Sequence, residues 1–168
     1  MKIGLLGGSF DPAHQGHLAI SKEAKKRFKL KKIIWAITKK NPFKKDSKTS
    51  ITKRIKYCKK IIGKNSFIKI KFYEKIIKSN KTINLINHLK KDKSFEIYFL
   101  MGADNLINFH KWHKSKLISK KCNILVFDRH GYKKNSLKSK TFKQLSKANL
   151  EFIEFNKVNI SSSQLRKI

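Results

Sequence analysis

Residues 7–18 read GGSFDPAHQGHL, and this stretch decides the fold more than any other part of the chain. An apolar run over residues 3–6 predicts a strand that ends at two glycines, Gly7 and Gly8. Glycines there let the backbone approach an anion, and a following helix directs its N–H groups and its positive dipole end at that anion. The stretch therefore predicts a phosphate-binding site at the end of the first strand.

Two histidines, His14 and His17, lie three residues apart at the predicted start of this helix. If the helix begins near Ala13, both rings share one face and can donate hydrogen bonds to charge on a phosphoryl group. The alternative is that one histidine caps the helix and the other packs half-buried. The glycines upstream and the position at the carboxyl end of a strand favour phosphate binding. The stretch matches neither the P-loop nor the G-x-G-x-x-G pattern.

The same stretch resembles the N-terminal motif of the nucleotidyltransferase superfamily and, within it, that of the bacterial nicotinate-nucleotide adenylyltransferase family. Three further segments are similar to motifs of that family, in the same order: NPFK at 41–44, GAD at 102–104 with Phe109 and Trp112, and ISSSQLR at 160–166. The resemblance implies that the chain transfers the adenylyl group of ATP to nicotinate mononucleotide. The implied products are deamido-NAD and pyrophosphate, with Mg²⁺ bound together with ATP.

The resemblance also implies roles for individual residues. It implies that the catalytic residues are His14 and His17. The residues implied in ATP binding are Gly7, Gly8, Ser9, Phe10, His14, His17, Ser162, Ser163 and Arg166. The residues implied in mononucleotide binding are Asn41, Lys44, Thr82, Gly102, Asp104 and Trp112. No protein residue is expected to form a metal site of its own.

Several of these residues have a purely structural alternative. Asp104 follows a predicted strand and is typical of a helix N-cap, although a carboxylate can also hold ribose hydroxyls. Trp112 can stack on a pyridine ring or pack in the core. Lys44 can be a solvated loop lysine in so basic a chain. Thr82 matches the family pattern loosely, because Asn84 interrupts it.

The segment near the C-terminus has its own alternative. Ser162 and Ser163 are typical of a helix N-cap, and this interpretation needs no ligand. Arg166 can grip phosphate oxygens through its planar guanidinium. Homologues usually continue for another helix, whereas this chain ends two residues after Arg166. We therefore expect a single domain over residues 1–168 with a shortened C-terminal end.

The charge is strongly positive, with 42 Lys and Arg against 10 Asp and Glu and a formal net charge of +32. Such a charge is typical of nucleic-acid-binding proteins. The alternative to an enzyme is therefore a basic nucleic-acid-binding module that has kept the fold and lost the activity. The lysines are spread along the chain, without aromatic residues interleaved as in an RNA-recognition motif. We therefore expect no specific nucleic acid. Within the enzymes, the rival is an adenylyltransferase acting on pantetheine phosphate or on the amide mononucleotide.

Apolar runs alternate with amphipathic stretches. Strands are predicted over residues 3–6, 33–37, 67–72, 96–101, 123–127 and 150–154, and helices over 18–28, 52–62, 82–89, 105–109, 115–119 and 142–148. The alternation predicts an α/β Rossmann-like fold, a parallel sheet with helices on both faces. Loops are predicted over 39–50 and 132–140.

Two further features bear on the cell compartment. The chain shows neither a membrane-spanning run nor a leader, so a cytoplasmic location with no membrane partner is expected. Cys58 and Cys122 lack metal-ligand spacing and are expected to be reduced core thiols. The oligomeric state cannot be inferred from the sequence.

Overall fold

The structure, a computed structural model, describes residues 1–39, 49–128, 133–144 and 149–154. Its strands are β1 (Lys2–Gly8), β2 (Lys32–Ile37), β3 (Ile68–Lys71), β4 (Glu96–Gly102), β5 (Asn123–Phe127) and β6 (Leu150–Ile153). All are parallel, and they form one sheet in the order β3-β2-β1-β4-β5-β6. This is the strand order of a doubly wound nucleotide-binding fold, so the predicted α/β class is confirmed.

Helices connect the strands. They are α1 (Gln15–Phe28), α2 (Ile51–Ile62), α3 (Glu74–Ile77), α4 (Thr82–Leu89), α5 (Ala103–Leu106), α6 (Ser115–Lys121), α7 (Lys133–Lys138) and α8 (Lys140–Gln144), with a 3-10 turn over Phe109–Lys111. The order in which strands are added to the sheet changes direction between β1 and β4. Strands β2 and β3 lie on one side of β1, and the later strands lie on the other side. In such sheets a crevice opens at the carboxyl ends of β1 and β4, which is where a ligand binds.

The predicted helices and loops need four corrections. The loop predicted over residues 132–140 is wrong in its described part, because α7 occupies Lys133–Lys138 and contacts α5 and α8. Its lysines have good helix propensity, and tertiary packing rather than periodicity stabilises so short a helix. The helix predicted over 105–109 begins earlier, as α5, and is followed by a 3-10 turn. The helix predicted over 142–148 begins at Lys140, and its part over 145–148 lies outside the described residues. Helix α3 was not predicted.

The core has a layer on each face of the sheet. Along β1 the side chains alternate, so that Leu6 joins one apolar cluster while Ile3 and Leu5 join the other. Cys58 and Cys122 are buried and unpaired, one in each layer, as predicted. Burial raises the pKa of each thiol to about 12. In the part of the chain that the structure describes, no helix combines the length and apolarity needed to cross a bilayer.

Candidate active site

The two histidines form the N-terminal cap of α1. His14 is the N-cap residue, in extended conformation, and its Nδ1 accepts a hydrogen bond from the backbone N–H of Gly16 at 3.0 Å. Nδ1 of His17 accepts a hydrogen bond from the backbone N–H of His14 at 3.1 Å. The helix thus begins at Gln15, not near Ala13, because the His14 side chain replaces the missing helical partner. The ring centroids lie 3.9 Å apart.

This reciprocal cap decides the tautomer of both rings. A ring nitrogen that accepts a backbone N–H carries no proton, so each neutral imidazole bears its proton on Nε2. His14 and His17 therefore each have a donor nitrogen at the helix N-terminus, where the helix dipole also favours an anion. The capping interpretation is correct. Because these cap contacts use Nδ1, they are compatible with phosphate binding through Nε2, although His14 is only 4% exposed.

Aromatic side chains of the core pack against the His17 ring. Phe10 is 1% exposed and lies with its ring centroid 4.7 Å from that of His17 and 5.0 Å from that of Trp35. Its φ of 49° is a left-handed conformation that costs energy in a residue other than glycine. Since the side chain is in the core, any contact of Phe10 with ATP comes from its backbone.

A hydrogen-bonded chain ties the same helix turn to β2. Trp35 Nε1 donates to Ser21 Oγ at 2.9 Å, and Ser21 Oγ donates to the carbonyl oxygen of His17 at 2.8 Å. Both Ser21 and Trp35 are fully buried. The helix start therefore has a fixed position on the sheet, as a preorganised site requires.

The glycines of the motif leave room beside this cap. A Cβ added at Gly7 would have no atom within 4 Å apart from those of the adjoining residues, and Gly7 lines a cleft. A Cβ on Gly8 would lie 3.7 Å from the Phe10 ring, which is ordinary contact. The structure is thus open in front of Gly7, where a ligand can approach the backbone.

The cleft has a volume of about 400 Å³ and lies at the carboxyl ends of β1 and β2, covered by α3 and α4. Two of the predicted site residues line it: Gly7, implied in ATP binding, and Thr82, implied in mononucleotide binding. Its other walls come mainly from Ala36, Ile37, Thr38, Tyr73, Glu74, Leu85 and Phe99. The structure therefore brings Thr82 next to the glycine motif although the two are far apart in sequence.

Gly102 and Asp104 lie at the end of β4, and Trp112 follows the 3-10 turn; none of the three lines this cleft. Gly102 is the N-cap of α5, and Asp104 is in the first turn, not at the cap position that the sequence suggested for it. Trp112 is half-buried and contacts Phe99 and Phe109 edge to face, with centroid distances of 6.0 and 5.0 Å. Because Phe99 lines the cleft, Trp112 supports one of its walls from behind.

The remaining predicted site residues lie outside the described residues. These are Asn41, Lys44, Ser162, Ser163 and Arg166.

The prediction missed Arg54. This residue of α2 is 3% exposed and donates from Nη1 to the carbonyl oxygens of Ser9 and Thr38, each at 2.8 Å. Nη2 donates to Lys39 O at 3.1 Å, and Nε donates to Thr49 O at 3.0 Å. Burial lowers the pKa of the guanidinium, and the negative charge of Asp11 acts in the opposite direction.

A sequence signal for Arg54 existed. Arg54, Cys58 and Ile62 are the buried residues of α2 and follow one another at intervals of four, so the arginine lies on the apolar face. A charged residue on such a face needs partners within the protein.

Glu74 was missed as well. Its Oε2 accepts a hydrogen bond from the backbone N–H of Lys39 at 3.3 Å, and burial raises the pKa of the carboxyl group. Glu74 Oε1 and Thr38 Oγ1 are buried without a hydrogen-bond partner among the described residues. Within those same residues, no three His, Cys, Asp or Glu side chains converge as a metal site.

The chain is similar to proteins of a known family. The cytidylyltransferase-like family model matches residues 5–168. A probable nicotinate-nucleotide adenylyltransferase of Pelagibacter ubique is 71% identical over 167 residues, which are 99% of this chain and 93% of that protein. A relative of the same description from a Ruegeria species is 38% identical over 78% of this chain and 69% of its own length.

A solved structure has the same fold. The Plasmodium falciparum nicotinic acid mononucleotide adenylyltransferase complexed with NaAD superposes with a TM-score of 0.80. The match covers 99% of this chain and 82% of that chain, at 21% sequence identity.

Proposed function

Because this chain belongs to the cytidylyltransferase-like family and to the nicotinate-nucleotide adenylyltransferases, we propose that it joins nicotinate mononucleotide to the adenylyl group of ATP. The products are deamido-NAD and pyrophosphate. One observation carries the proposal: both histidines of the first motif accept a backbone N–H at Nδ1, so the neutral rings keep their proton on Nε2, at the N-terminus of α1.

The reaction is a direct phosphoryl transfer. A 5′-phosphate oxygen of the mononucleotide attacks the α-phosphorus of ATP in line, and the bond to pyrophosphate breaks without a covalent enzyme intermediate. Such chemistry requires mainly positioning and charge stabilisation. In this proposal His14 and His17 donate from Nε2 to α- and β-phosphate oxygens, and the N-terminus of α1 adds its dipole. No general base is needed, because the attacking phosphate is already an anion.

Mg²⁺ belongs to the proposal as a companion of ATP. Phosphate oxygens are the hard ligands that this ion prefers, and it usually keeps several waters in place of a protein cage. When bound it neutralises part of the charge on the leaving pyrophosphate. The protein donors at the site, two imidazole N–H groups and a helix N-terminus, suit phosphate oxygens.

The cleft beside Gly7 is the proposed place of the mononucleotide. Its lining is mostly apolar, as is usual for small-molecule sites. Its apolar wall includes Phe99, and Thr82 supplies a hydroxyl at its edge. The predicted substrate contacts of Asn41, Lys44, Thr82, Gly102, Asp104 and Trp112 stay predictions, and so do the predicted ATP contacts of Gly7, Gly8, Ser9, Phe10, His14, His17, Ser162, Ser163 and Arg166.

Three further expectations also stay predictions: a single domain, a cytoplasmic location and the absence of a specific nucleic-acid partner. The proposed partners are therefore the two substrates, ATP and nicotinate mononucleotide.

Pyrophosphate release tests the proposed function. ATP is offered with nicotinate mononucleotide, nicotinamide mononucleotide or phosphopantetheine in parallel, with Mg²⁺ present throughout. We expect release with the nicotinate nucleotide at the highest kcat/KM. If kcat/KM is highest with phosphopantetheine or with the amide nucleotide, that molecule is the acceptor in place of nicotinate mononucleotide. If no pyrophosphate is released with any of the three, the proposed function is wrong.

A further inference from the structure

Arg54 connects two parts of the candidate site that lie far apart in sequence. One is the turn after β1, through the carbonyl oxygen of Ser9, and the other is the end of β2, through the carbonyl oxygens of Thr38 and Lys39. The first belongs to the phosphate motif, and Thr38 lines the cleft. A single side chain thus bridges the proposed ATP side and the proposed mononucleotide side.

The bonding suits an arginine and not a lysine. Four of the five N–H donors of a guanidinium are used, all on main-chain carbonyl oxygens, at 2.8 to 3.1 Å. These donors have a fixed planar geometry, whereas an ammonium has three donors on a flexible stem. Since the acceptors are main-chain atoms, the contacts set the positions of backbone segments.

Burial disfavours the charge of the guanidinium and lowers its pKa, and nearby negative charges offset part of this cost. Arg54 is 3% exposed, and the charges of Asp11 and Glu74 act on it favourably. A buried charge held in this way by several partners is costly to disturb. The bridge is therefore rigid, whereas a solvent-exposed arginine side chain would not fix the position of its partners.

We propose that Arg54 is a positioning residue that fixes the phosphate turn relative to the cleft, so that the attacking phosphate of the mononucleotide lines up with the α-phosphorus of ATP. This role rests on the proposed function. A shift of about 1 Å between two reacting groups can cost about 10²-fold in rate. Loss of the bridge therefore lowers kcat, while each substrate still finds its own contacts.

The test compares Arg54→Lys with Cys58→Ala, a matched control. Cys58 lies one helical turn further along α2, on the same buried face. Among the described residues, no hydrogen bond joins Cys58 to a backbone carbonyl of the site. The Tm of the wild type and of both variants is measured first. The kcat and the KM for each substrate are then measured at one temperature well below all three Tm values. The Arg54→Lys variant keeps the charge and removes the planar fork.

We expect Arg54→Lys to lose about 10- to 10²-fold in kcat with little change in either KM, as misalignment of bound substrates requires. Cys58→Ala should lower Tm and keep wild-type kcat. Three results would overturn the role: wild-type kcat in Arg54→Lys, a loss confined to one KM, or an equal kcat loss in Cys58→Ala. Failure of Arg54→Lys to fold would also overturn it, because Arg54 would then serve stability. A wild-type protein inactive in the substrate comparison would instead contradict the proposed function.

Discussion

The backbone N–H of His14 donates to Nδ1 of His17 at 3.1 Å. With the bond from Gly16 to Nδ1 of His14, this contact completes a capping box made of two histidines. The same contacts that stabilise the helix start also place the ring protons on Nε2. Fold stability and the proposed phosphate chemistry thus use opposite nitrogens of the same rings, so substitutions can separate them.

The substitution His14→Asn should preserve the cap and remove the Nε2–H donor, leaving only the amide N–H groups of a shorter side chain. An asparagine Oδ1 can accept the Gly16 N–H in place of Nδ1, and Asn is among the best N-cap residues. We expect a Tm close to that of the wild type and a kcat lowered by about 10²-fold. His14→Ala is the matched control, which should lose both activity and about 1 kcal/mol of stability. Wild-type kcat in His14→Asn would show that His14 is only a cap.

For Trp112 the expected first effect is on stability. Its edge-to-face contacts with Phe99 and Phe109 are each worth about 0.5–1.5 kcal/mol, so Trp112→Ala should lower Tm clearly and Trp112→Phe much less. If the ring also stacks on the pyridine, the KM for the mononucleotide rises in Trp112→Ala while that for ATP stays nearly the same. A folded Trp112→Ala variant with an unchanged mononucleotide KM would reject the stacking role.

Both thiols should be inert in the folded protein. Burial raises the pKa of Cys58 and of Cys122 to about 12, so the reactive thiolate is nearly absent at neutral and mildly alkaline pH. We expect a disulfide reagent to label both thiols slowly in the native state and quickly in denaturant. The unfolded thiols ionise near 9.0 while the folded ones keep their protons, so stability should fall between pH 9.0 and about 12. Fast native labelling would contradict the burial.

The positive charge should appear as weak, salt-sensitive binding to nucleic acid of any sequence. Scattered lysines contact phosphates and release counterions, so affinity for duplex DNA should fall steeply as salt rises. Competition between unrelated duplexes and RNAs at physiological salt measures the specificity. Strong preference for one sequence or RNA structure, together with no pyrophosphate release, would favour the rival binding module.

The sequence predicted the sheet because each strand is a compact apolar run that alternates with a helical pattern. It also located the histidine pair, since glycines at a strand end followed by a helix start have a local signature. It did not place Phe10, whose left-handed backbone turns its ring into the core beneath His17. Such a conformation depends on the packing against Trp35 and leaves no local pattern.

Arg54 and Glu74 were missed for a related reason. In a chain with 42 basic residues, one more arginine carries no compositional signal, although its place on the buried face of α2 could have been read from the spacing. Its carbonyl partners come from segments far apart in sequence, which only the folded sheet brings together. Glu74 gains its raised pKa in the same way, by burial in the tertiary structure.

The most direct test of the account is the rate of pyrophosphate release by His17→Ala with saturating ATP and nicotinate mononucleotide. The contact from Nε2 strengthens as charge develops in the transition state, so kcat should fall by about 10²-fold or more while the KM for ATP changes far less. A thermal melt of the same variant confirms that the helix start survives the loss of one capping contact. A folded His17→Ala variant with a kcat near that of the wild type would contradict the account, because His17 would then serve only the cap.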